Sequence, residues 1–257
     1  MKNLNFRNRP VEVPESIDEL APEQYIYYIY LASWLAAGDI TPEFWRVRWF
    51  SYLMGLGSAN YTILRPEYIE QAEQLLDSVV TPFIETTPQG PVPTFKTCLN
   101  LLPAYKGYSG PAHWLDNLTF GKFVECSTLL EQIPTAADPA ELQRAVARAL
   151  YNIPESDDVP PVLSFHAPML FSAVWSAIQA GPIDINGRQV DFSIIFKSTG
   201  ERRPDDKTGW AGISFEVAAA GVFGNIKELD EAPFWAVLMY LYKCKFEYLH
   251  DKSNKKP

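Results

Sequence analysis

The C-terminal part of the chain, residues 208–252, restricts the fold more than any other part. A run of small and apolar residues, about 211–220, ends at Gly221, and the turn sequence GVFGN follows. From about Glu231 to Tyr248 apolar residues recur at helical spacing, with Asp230 placed to cap that second helix. Glycine directly after a periodic apolar run is a typical helix stop. We therefore predict two helices joined by a tight turn.

Composition indicates a protein with a large core. The 257 residues are 47% hydrophobic and 21% charged, which leaves ample apolar material for packing and gives no sign of disorder. Aromatic residues make up 14% of the chain, with seven Trp and thirteen Tyr. Such a content favours a core or an interface built on large aromatic side chains. We expect one mainly helical domain covering residues 1–257.

The charge argues against nucleic acid as a partner. The formal net charge is -9 and the sequence pI is about 4.9, whereas phosphate binding requires concentrated Lys and Arg. The basic residues at the end of the chain, Lys252, Lys255 and Lys256, fit a solvated, frayed terminus. We predict no nucleic-acid-binding surface.

Cysteine usage and the first residues predict a cytoplasmic protein. The three cysteines, Cys98, Cys126 and Cys244, are widely spaced, which suits a reducing compartment. The opening MKNLNFRNRP lacks the apolar core of a signal peptide. The apolar segment Tyr25–Ala37 is shorter than the roughly twenty residues of a membrane span, so we predict a buried central helix instead.

Proline and cap residues place the N-terminal helices. A first helix is expected after Pro22 and ends at Gly38, and a second opens at Thr41-Pro42. The short connection predicts an antiparallel pair. A third helix is expected over Pro66–Val80. The buried stripe of the second helix is predicted to contain Trp45, Trp49, Tyr52, Leu53 and Leu56.

Residues 82–112 are rich in proline and are predicted to be irregular, either a wrapping loop or a linker. A linker would separate residues 1–81 from residues 113–257. Helices are expected to resume at about 117–133, then after the capping box at Asp138, and then over about Met169–Gln179.

One strong β signal follows these helices. The pair Asn186-Gly187 lies between β-branched residues and predicts a two-residue type I′ hairpin, with alternation continuing to Phe196. Residues 4–13 are predicted to form an edge strand or an extended arm, which is a candidate to pair with that hairpin. The expected fold class is mainly α, a multi-helix orthogonal or bundle-like domain with a minor β-hairpin and roughly seven to nine helices.

No pattern typical of catalysis stands out. Cys98, His113 and Cys126 lack the close pair of ligands that zinc sites usually contain. The segment 55–60 follows a helix and fits a helix C-cap better than a nucleotide loop. Ordinary structural roles are also expected for His113 and for His166, which is placed to cap the helix that follows it. We predict a protein that is not an enzyme, with no cofactor and no metal.

An alternative remains open at this stage. Acidic residues near the C-terminal part, together with one histidine, would supply the ligands and base of a metal-assisted hydrolase. The residues of that alternative are Asp205, Asp206, Glu228 and His166.

Aromatic residues are the candidate binding site. The segment 25–49 carries aromatic side chains on both sides of one helix, so a single small core cannot hold all of them, and the last helix carries further tyrosines off its apolar stripe. The predicted partner-binding residues are Tyr27, Tyr30, Trp34, Trp45, Trp49, Tyr240 and Tyr242.

Several phrases of the sequence resemble a family of prophage proteins. They are VPESIDELAPEQYIYY, YSGPAHWLDNLTFGKFVEC, ARALYNIP and GWAGISFEVAAAGVFGNIKEL. Together they are similar to the tail-assembly-chaperone-like accessory proteins that prophages of Bacteroides-type bacteria encode. The resemblance implies a helical cytoplasmic protein that binds another phage protein, a tail component. A purely structural phage component is the other function that it allows.

Overall fold

The structure is a computed structural model, and it describes residues 1–56, 62, 64–88, 90–196 and 208–254. The predicted fold class is confirmed: this part of the chain is mainly α, with ten α-helices and four two-stranded antiparallel ribbons. The chain divides into two compact units, Met1–Thr97 and Cys98–Pro257, which we call the N-terminal and C-terminal units. Their boundary falls within the proline-rich segment 82–112.

The described residues of the N-terminal unit form three α-helices and two ribbons. In chain order its elements are β1 (Lys2–Phe6), β2 (Arg9–Val13), α1 (Pro22–Ala37), α2 (Pro42–Leu53), α3 (Pro66–Val80), β3 (Ile84–Thr87) and β4 (Gly90–Pro93). The helix ends follow the sequence signals. Gly38 ends α1 with φ 79°, and the Thr41 hydroxyl accepts a hydrogen bond from the Phe44 N–H at 3.2 Å.

The N-terminal segment is a hairpin and not the edge strand or arm expected from sequence. Strand β1 pairs with β2 from Lys2↔Val13 to Phe6↔Arg9, and this ribbon does not pair with the hairpin near residue 186. The turn residues Arg7 and Asn8 both have positive φ, 54° and 59°, which is the geometry of a type I′ turn. Asparagine tolerates that conformation well, but arginine gives no such sequence signal.

The segment 82–112 was predicted to be irregular, but it contains two ribbons, β3–β4 and a second one in the C-terminal unit. Tyr28 anchors the part of this segment that follows α3 to α1. Its hydroxyl, at the centre of the core, donates to the Phe83 carbonyl at 3.0 Å or to the Thr94 carbonyl at 2.7 Å. Its ring meets Trp49 edge-on at 5.0 Å. Burial raises the pKa of the Tyr28 hydroxyl well above its usual value, so the hydroxyl stays protonated and able to donate.

The C-terminal unit contains the other elements. They are β5 (Ala104–Tyr105), β6 (Tyr108–Ser109), α4 (Phe120–Gln132), α5 (Pro139–Tyr151), α6 (Pro161–Ala180), β7 (Pro182–Ile185), β8 (Arg188–Asp191), α7 (Ser193–Phe196), α8 (Gly209–Ala219), α9 (Ile226–Glu231) and α10 (Phe234–Asn254). The helix count exceeds the expected range because α7 and α9 are short helices that the sequence patterns do not reveal.

The core of the C-terminal unit is centred on Phe123 of α4. Its ring stacks on Phe234 of α10 at 4.2 Å and on Phe171 of α6 at 5.5 Å, and it meets Trp210 of α8 edge-on at 4.9 Å. Burying a phenylalanine side chain contributes about 1.5–3 kcal/mol. One side chain therefore packs four helices of this unit against one another.

Two predicted element boundaries are wrong, one at the start of α6 and one after β8. Helix α6 starts at Pro161 and not near Met169, because Pro168 is accommodated inside the helix. After β8 the predicted alternation to Phe196 is replaced by helix α7, which begins where the Asp191 carboxylate accepts from the Ser193 N–H at 3.0 Å. The Asn186-Gly187 hairpin itself is confirmed, with φ values of 52° and 78°.

The turn before the last helix also differs from expectation. Asn225, and not Asp230, is the capping residue: its side chain accepts from the backbone N–H groups of Lys227 and Glu228, and the Glu228 carboxylate accepts from the Asn225 N–H at 2.8 Å. This capping box opens the separate short helix α9. Helix α10 then begins at Phe234, after Pro233.

One helix in the described part, α6, is long and apolar enough to cross a membrane by length and composition alone. Half of its most apolar window is buried inside the protein. A core helix of a protein without a membrane span has the same profile. The other apolar segment, Tyr25–Ala37, is part of helix α1.

The loop before α4 is held by close packing on Tyr151. A Cβ atom added to Gly110 would lie 2.4 Å from the Tyr151 ring, which is buried and donates from its hydroxyl to the Leu102 carbonyl at 2.8 Å. We expect Gly110→Ala to lower the free energy of unfolding by about 1–3 kcal/mol, because neither the ring nor the loop can move freely. Chemical denaturation measures the change.

Gly181→Ala is the matched control for Gly110→Ala. A Cβ added to Gly181 meets no atom within 4 Å. Its backbone is extended, a conformation that alanine adopts as readily. We expect its free energy of unfolding to stay within about 0.5 kcal/mol of the parent protein. Equal losses in the two variants would contradict the packing described for Tyr151.

Candidate binding groove

Two of the predicted partner-binding residues lie in the core. Trp45 and Trp49 of α2 are 1% and 0% exposed, so they contribute no surface to a partner. Trp49 packs edge-on against Phe83 at 5.3 Å, and Tyr28 packs against both indoles. The structure therefore corrects the sequence hypothesis for these two residues, because the segment after α3 covers this face of α2.

The other predicted residues remain at least partly accessible. Tyr30 and Trp34, one helical turn apart on α1, are 38% and 44% exposed. Tyr27 is half-buried and stacks on Tyr52 at 4.1 Å between ring centroids. On α10, Tyr240 and Tyr242 are half-buried. Their rings meet Phe223 and Phe192, respectively, at 5.7 Å.

A groove lies in the C-terminal unit, among the described residues. Its walls are residues 113, 114 and 116, residues 177 and 180 of α6, residues 181–186 and residues 235 and 239 of α10. We call this set of residues the groove. It encloses about 980 Å³. Large apolar side chains, Trp114, Trp235 and Met239, form much of its lining. Sequence reasoning missed all three, although Trp235 and Met239 share one face at i, i+4 spacing.

Backbone hydrogen bonds fix the two tryptophans of the groove. The Trp114 N–H donates to the Cys98 carbonyl at 2.8 Å. The Trp235 indole N–H donates to the Trp114 carbonyl at 3.1 Å, which joins the 113–115 turn to α10. An indole that is hydrogen-bonded at its nitrogen and half-buried keeps an apolar face for another molecule.

A short antiparallel bridge supports the same region. The Phe234 N–H donates to the Leu118 carbonyl at 2.9 Å, and the Phe120 N–H donates to the Ala232 carbonyl at 2.8 Å. These bonds place the start of α10 beside the start of α4. The backbone of the groove wall at Trp235 is consequently attached to the core.

The 113–115 turn is strained. Trp114 and Leu115 have φ values of 57° and 56°, a left-handed conformation that bulky residues rarely adopt. Such residues cost on the order of 1–3 kcal/mol each and persist where the surrounding structure holds them, often at functional sites. Here the strain presents the Trp114 side chain at the groove.

The charged side chains of the groove are acidic. Asp116 and Asp184 are exposed at its walls, and no Lys or Arg is present among the described residues that line it. Asp184 is fixed by the hairpin turn, since its carboxylate accepts from the Gly187 N–H at 2.8 Å and from Gln189 at 3.1 Å. Nδ1 of His113 accepts from the Asn100 N–H at 2.9 Å, which leaves the ring proton on Nε2.

The residues of the hydrolase alternative are not brought together in the described part. His166 lies inside α6, is fully buried, and places Nε2 at 3.0 Å from the Asn100 side-chain oxygen; it does not cap a helix. The Glu228 carboxylate belongs to the capping box of α9. Asp205 and Asp206 lie outside the described residues. Among described residues no group of three or more His, Cys, Asp or Glu is placed to hold a metal ion.

Cys98, His113 and Cys126 do not form a metal-holding group among the described residues. Cys126 is buried in the α4 core, where desolvation raises the pKa of its thiol to about 12. His113 is exposed at the groove. Cys98 is half-buried and provides the carbonyl that holds Trp114.

Comparison of the chain with protein-family models, with curated proteins and with solved structures found no match.

Substitution of the two kinds of tryptophan tests the assignment of core and surface. We expect Trp49→Ala to lower the free energy of unfolding by about 3–5 kcal/mol, because it leaves a cavity among packed rings. Trp34→Ala, at a site 44% exposed, is expected to cost at most about 1 kcal/mol. Urea denaturation of both variants measures the difference, and a larger loss at Trp34 would reverse the assignment.

Acid is expected to destabilise the C-terminal unit through His166. Burial lowers the pKa of His166 to about 3, against about 6.5 in an unfolded chain. Between these two pH values the unfolded state binds a proton that the folded state does not. The free energy of unfolding therefore falls by about 1.4 kcal/mol per pH unit from this group as the pH decreases below about 6.5.

Denaturation at pH 7, 6 and 5 measures this slope. In His166→Gln the slope is expected to be smaller by the contribution of one proton. NMR of the parent protein gives a readout that does not require the variant to fold: the His166 ring resonance should stay constant from pH 8 to pH 5. A titration midpoint near the ordinary value for histidine contradicts the assignment.

Proposed function

We propose that this protein acts by binding and not by catalysis, as an accessory protein of a phage or prophage in the cytoplasm of a bacterial host. Its partner is another phage protein, a tail component. It binds an apolar, helical segment of that component and keeps it soluble before assembly, as a tail assembly chaperone does. The proposal includes no cofactor and no nucleic acid.

The groove is the observation that carries this proposal. Its volume of about 980 Å³ lies at the upper end of the range of ligand pockets. Two indoles and a methionine on its walls suit the side chains of an amphipathic helix, which binds through anchors at i, i+3, i+4 and i+7. Methionine adapts its shape to different apolar partners. The strained turn at Trp114 adds a second reason to assign a function to this place.

Two further observations support a binding role. The sequence phrases resemble tail-assembly-chaperone-like proteins, which act on other phage proteins. The exposed aromatic pair on α1, Tyr30 and Trp34, offers an additional apolar surface in the N-terminal unit. Large rigid side chains of this kind bury much area at a low cost in conformational entropy.

Co-expression with the products of neighbouring genes tests the proposal. The tagged protein is expected to retain one tail protein, and Met239→Glu is expected to weaken that complex about 30-fold, the effect of losing a hot spot of about 2 kcal/mol. A carboxylate at this half-buried groove position would lose its hydration against an apolar segment, which disfavours binding. Binding is measured by titration after co-purification.

Phe246→Glu is the matched control for Met239→Glu. Phe246 lies on the same helix, is 53% exposed and is not part of the groove. It is expected to leave the complex unchanged. Loss of the complex in Phe246→Glu alone would assign binding to the end of α10. Retention of no tail protein rejects the chaperone proposal, and persistence of the protein in finished particles indicates a structural component instead.

A further inference from the structure

The groove combines an apolar surface with negative charge. Asp116 is on one wall and Asp184 on another, and the described lining residues carry no Lys or Arg to neutralise them. The chain as a whole has a formal net charge of -9. Low-dielectric walls concentrate the field of the charges that they surround, so a cleft of one sign attracts ligands of the opposite sign.

The end of helix α6 adds to this negative potential. Ala177, Ala180 and Gly181 line the groove where this 20-residue helix stops. The last carbonyl groups of a helix have no partner within it, and the aligned peptide dipoles leave a partial negative charge at that end. The last turn of α6 contains no basic residue that would balance the charge.

The tryptophans of the groove complete the features of a cation site. The face of an indole ring carries negative electrostatic potential, and it is the strongest of the protein rings in attracting cations. Trp114 and Trp235 lie on the groove, and the hydrogen bond of 3.1 Å between them fixes their positions. Arginine pairs with carboxylates and stacks on aromatic faces with the same planar group, whereas lysine presents a compact, strongly hydrated charge.

We infer that the groove recognises an arginine side chain on the apolar segment of a partner protein. The groove is larger than one side chain, and exposed residues such as His113 and Asp184 at its walls leave it open for a segment that continues beyond it. The apolar walls hold the segment, and the acidic side chains and the end of α6 select its positive charge. This inference rests on the proposed function, because it names the chemistry of the segment that the groove binds.

A pair of synthetic peptides tests the charge selection directly. Both are helical, of about fifteen Ala, Leu and Gln residues, and they differ in one central residue, arginine or its neutral isostere citrulline. Fluorescence anisotropy with the full-length protein measures their affinities. We expect the arginine peptide to bind about tenfold more tightly than the citrulline peptide, with the difference shrinking as salt is added.

Charge-neutralising variants locate the effect. The double variant Asp116→Asn with Asp184→Asn is expected to remove most of the difference between the two peptides. Asparagine keeps an oxygen to accept from the Gly187 N–H, so the hairpin turn is preserved. The control double variant, Glu131→Gln with Glu155→Gln, makes the same change in net charge at exposed positions outside the groove and is expected to keep the difference.

Several results overturn the inference. Equal affinities for the two peptides would overturn it, and so would the absence of saturable peptide binding. A difference in affinity that persists when Asp116 and Asp184 are neutralised would also overturn it. The inference also fails if N-acetyl-arginine amide binds as tightly as the arginine peptide, because the groove would then recognise a free small molecule. A tail protein lost on Met239→Glu but insensitive to the aspartate changes leaves the proposed function standing without this inference. If the protein binds the arginine peptide selectively but retains no tail protein, the charge selection of the groove stands and the proposed function is rejected.

Discussion

The two backbone hydrogen bonds between residues 118–120 and residues 232–234 organise the C-terminal unit. They align the start of α4 with the start of α10, although more than a hundred residues separate the two segments in sequence. Phe123 and Phe234 then stack at the centre of the core, and Trp235 reaches the carbonyl of Trp114. The groove wall is therefore a consequence of how the core closes.

Each unit uses one buried polar side chain to hold a proline-containing segment against its core. In the N-terminal unit the Tyr28 hydroxyl donates to carbonyls of the segment after α3. In the C-terminal unit Asn100 donates to the Pro111 carbonyl at 2.7 Å and accepts from the Leu102 N–H at 2.9 Å, with His166 beside it. Buried backbone groups outside helices and sheets require such partners. Both interactions explain how proline-rich stretches can lie against a core.

Local signals in the sequence predicted the helices that depend on local chemistry. Pro66–Val80 has the predicted bounds, and Thr41 and Asp138 cap the helices that they were expected to cap. The signals failed where tertiary packing decides. Pro168 lies inside α6, and the turns at Arg7-Asn8 and Lys106-Gly107 adopt positive φ without the usual asparagine-glycine pair. Burial was equally hidden: Trp34 and Trp49 both lie in predicted helices, but Trp34 is exposed whereas Trp49 is buried and packs against Phe83. The groove is built from residues distant in sequence, so no local pattern indicates it.

The strands of the four ribbons in the described part bear on how the protein behaves at high concentration. A strand with an unpaired edge is a template for strands of other molecules, and this is a common route to aggregation. Three of these ribbons carry proline in one strand, at Pro10, at Pro91 and Pro93, and at Pro182, and the strands of the fourth have only two residues each. Proline cannot donate a hydrogen bond to an added strand, and two residues offer too few. Strands β2, β4 and β7, and the two-residue strands β5 and β6, therefore offer few hydrogen-bond donors to a strand of another molecule.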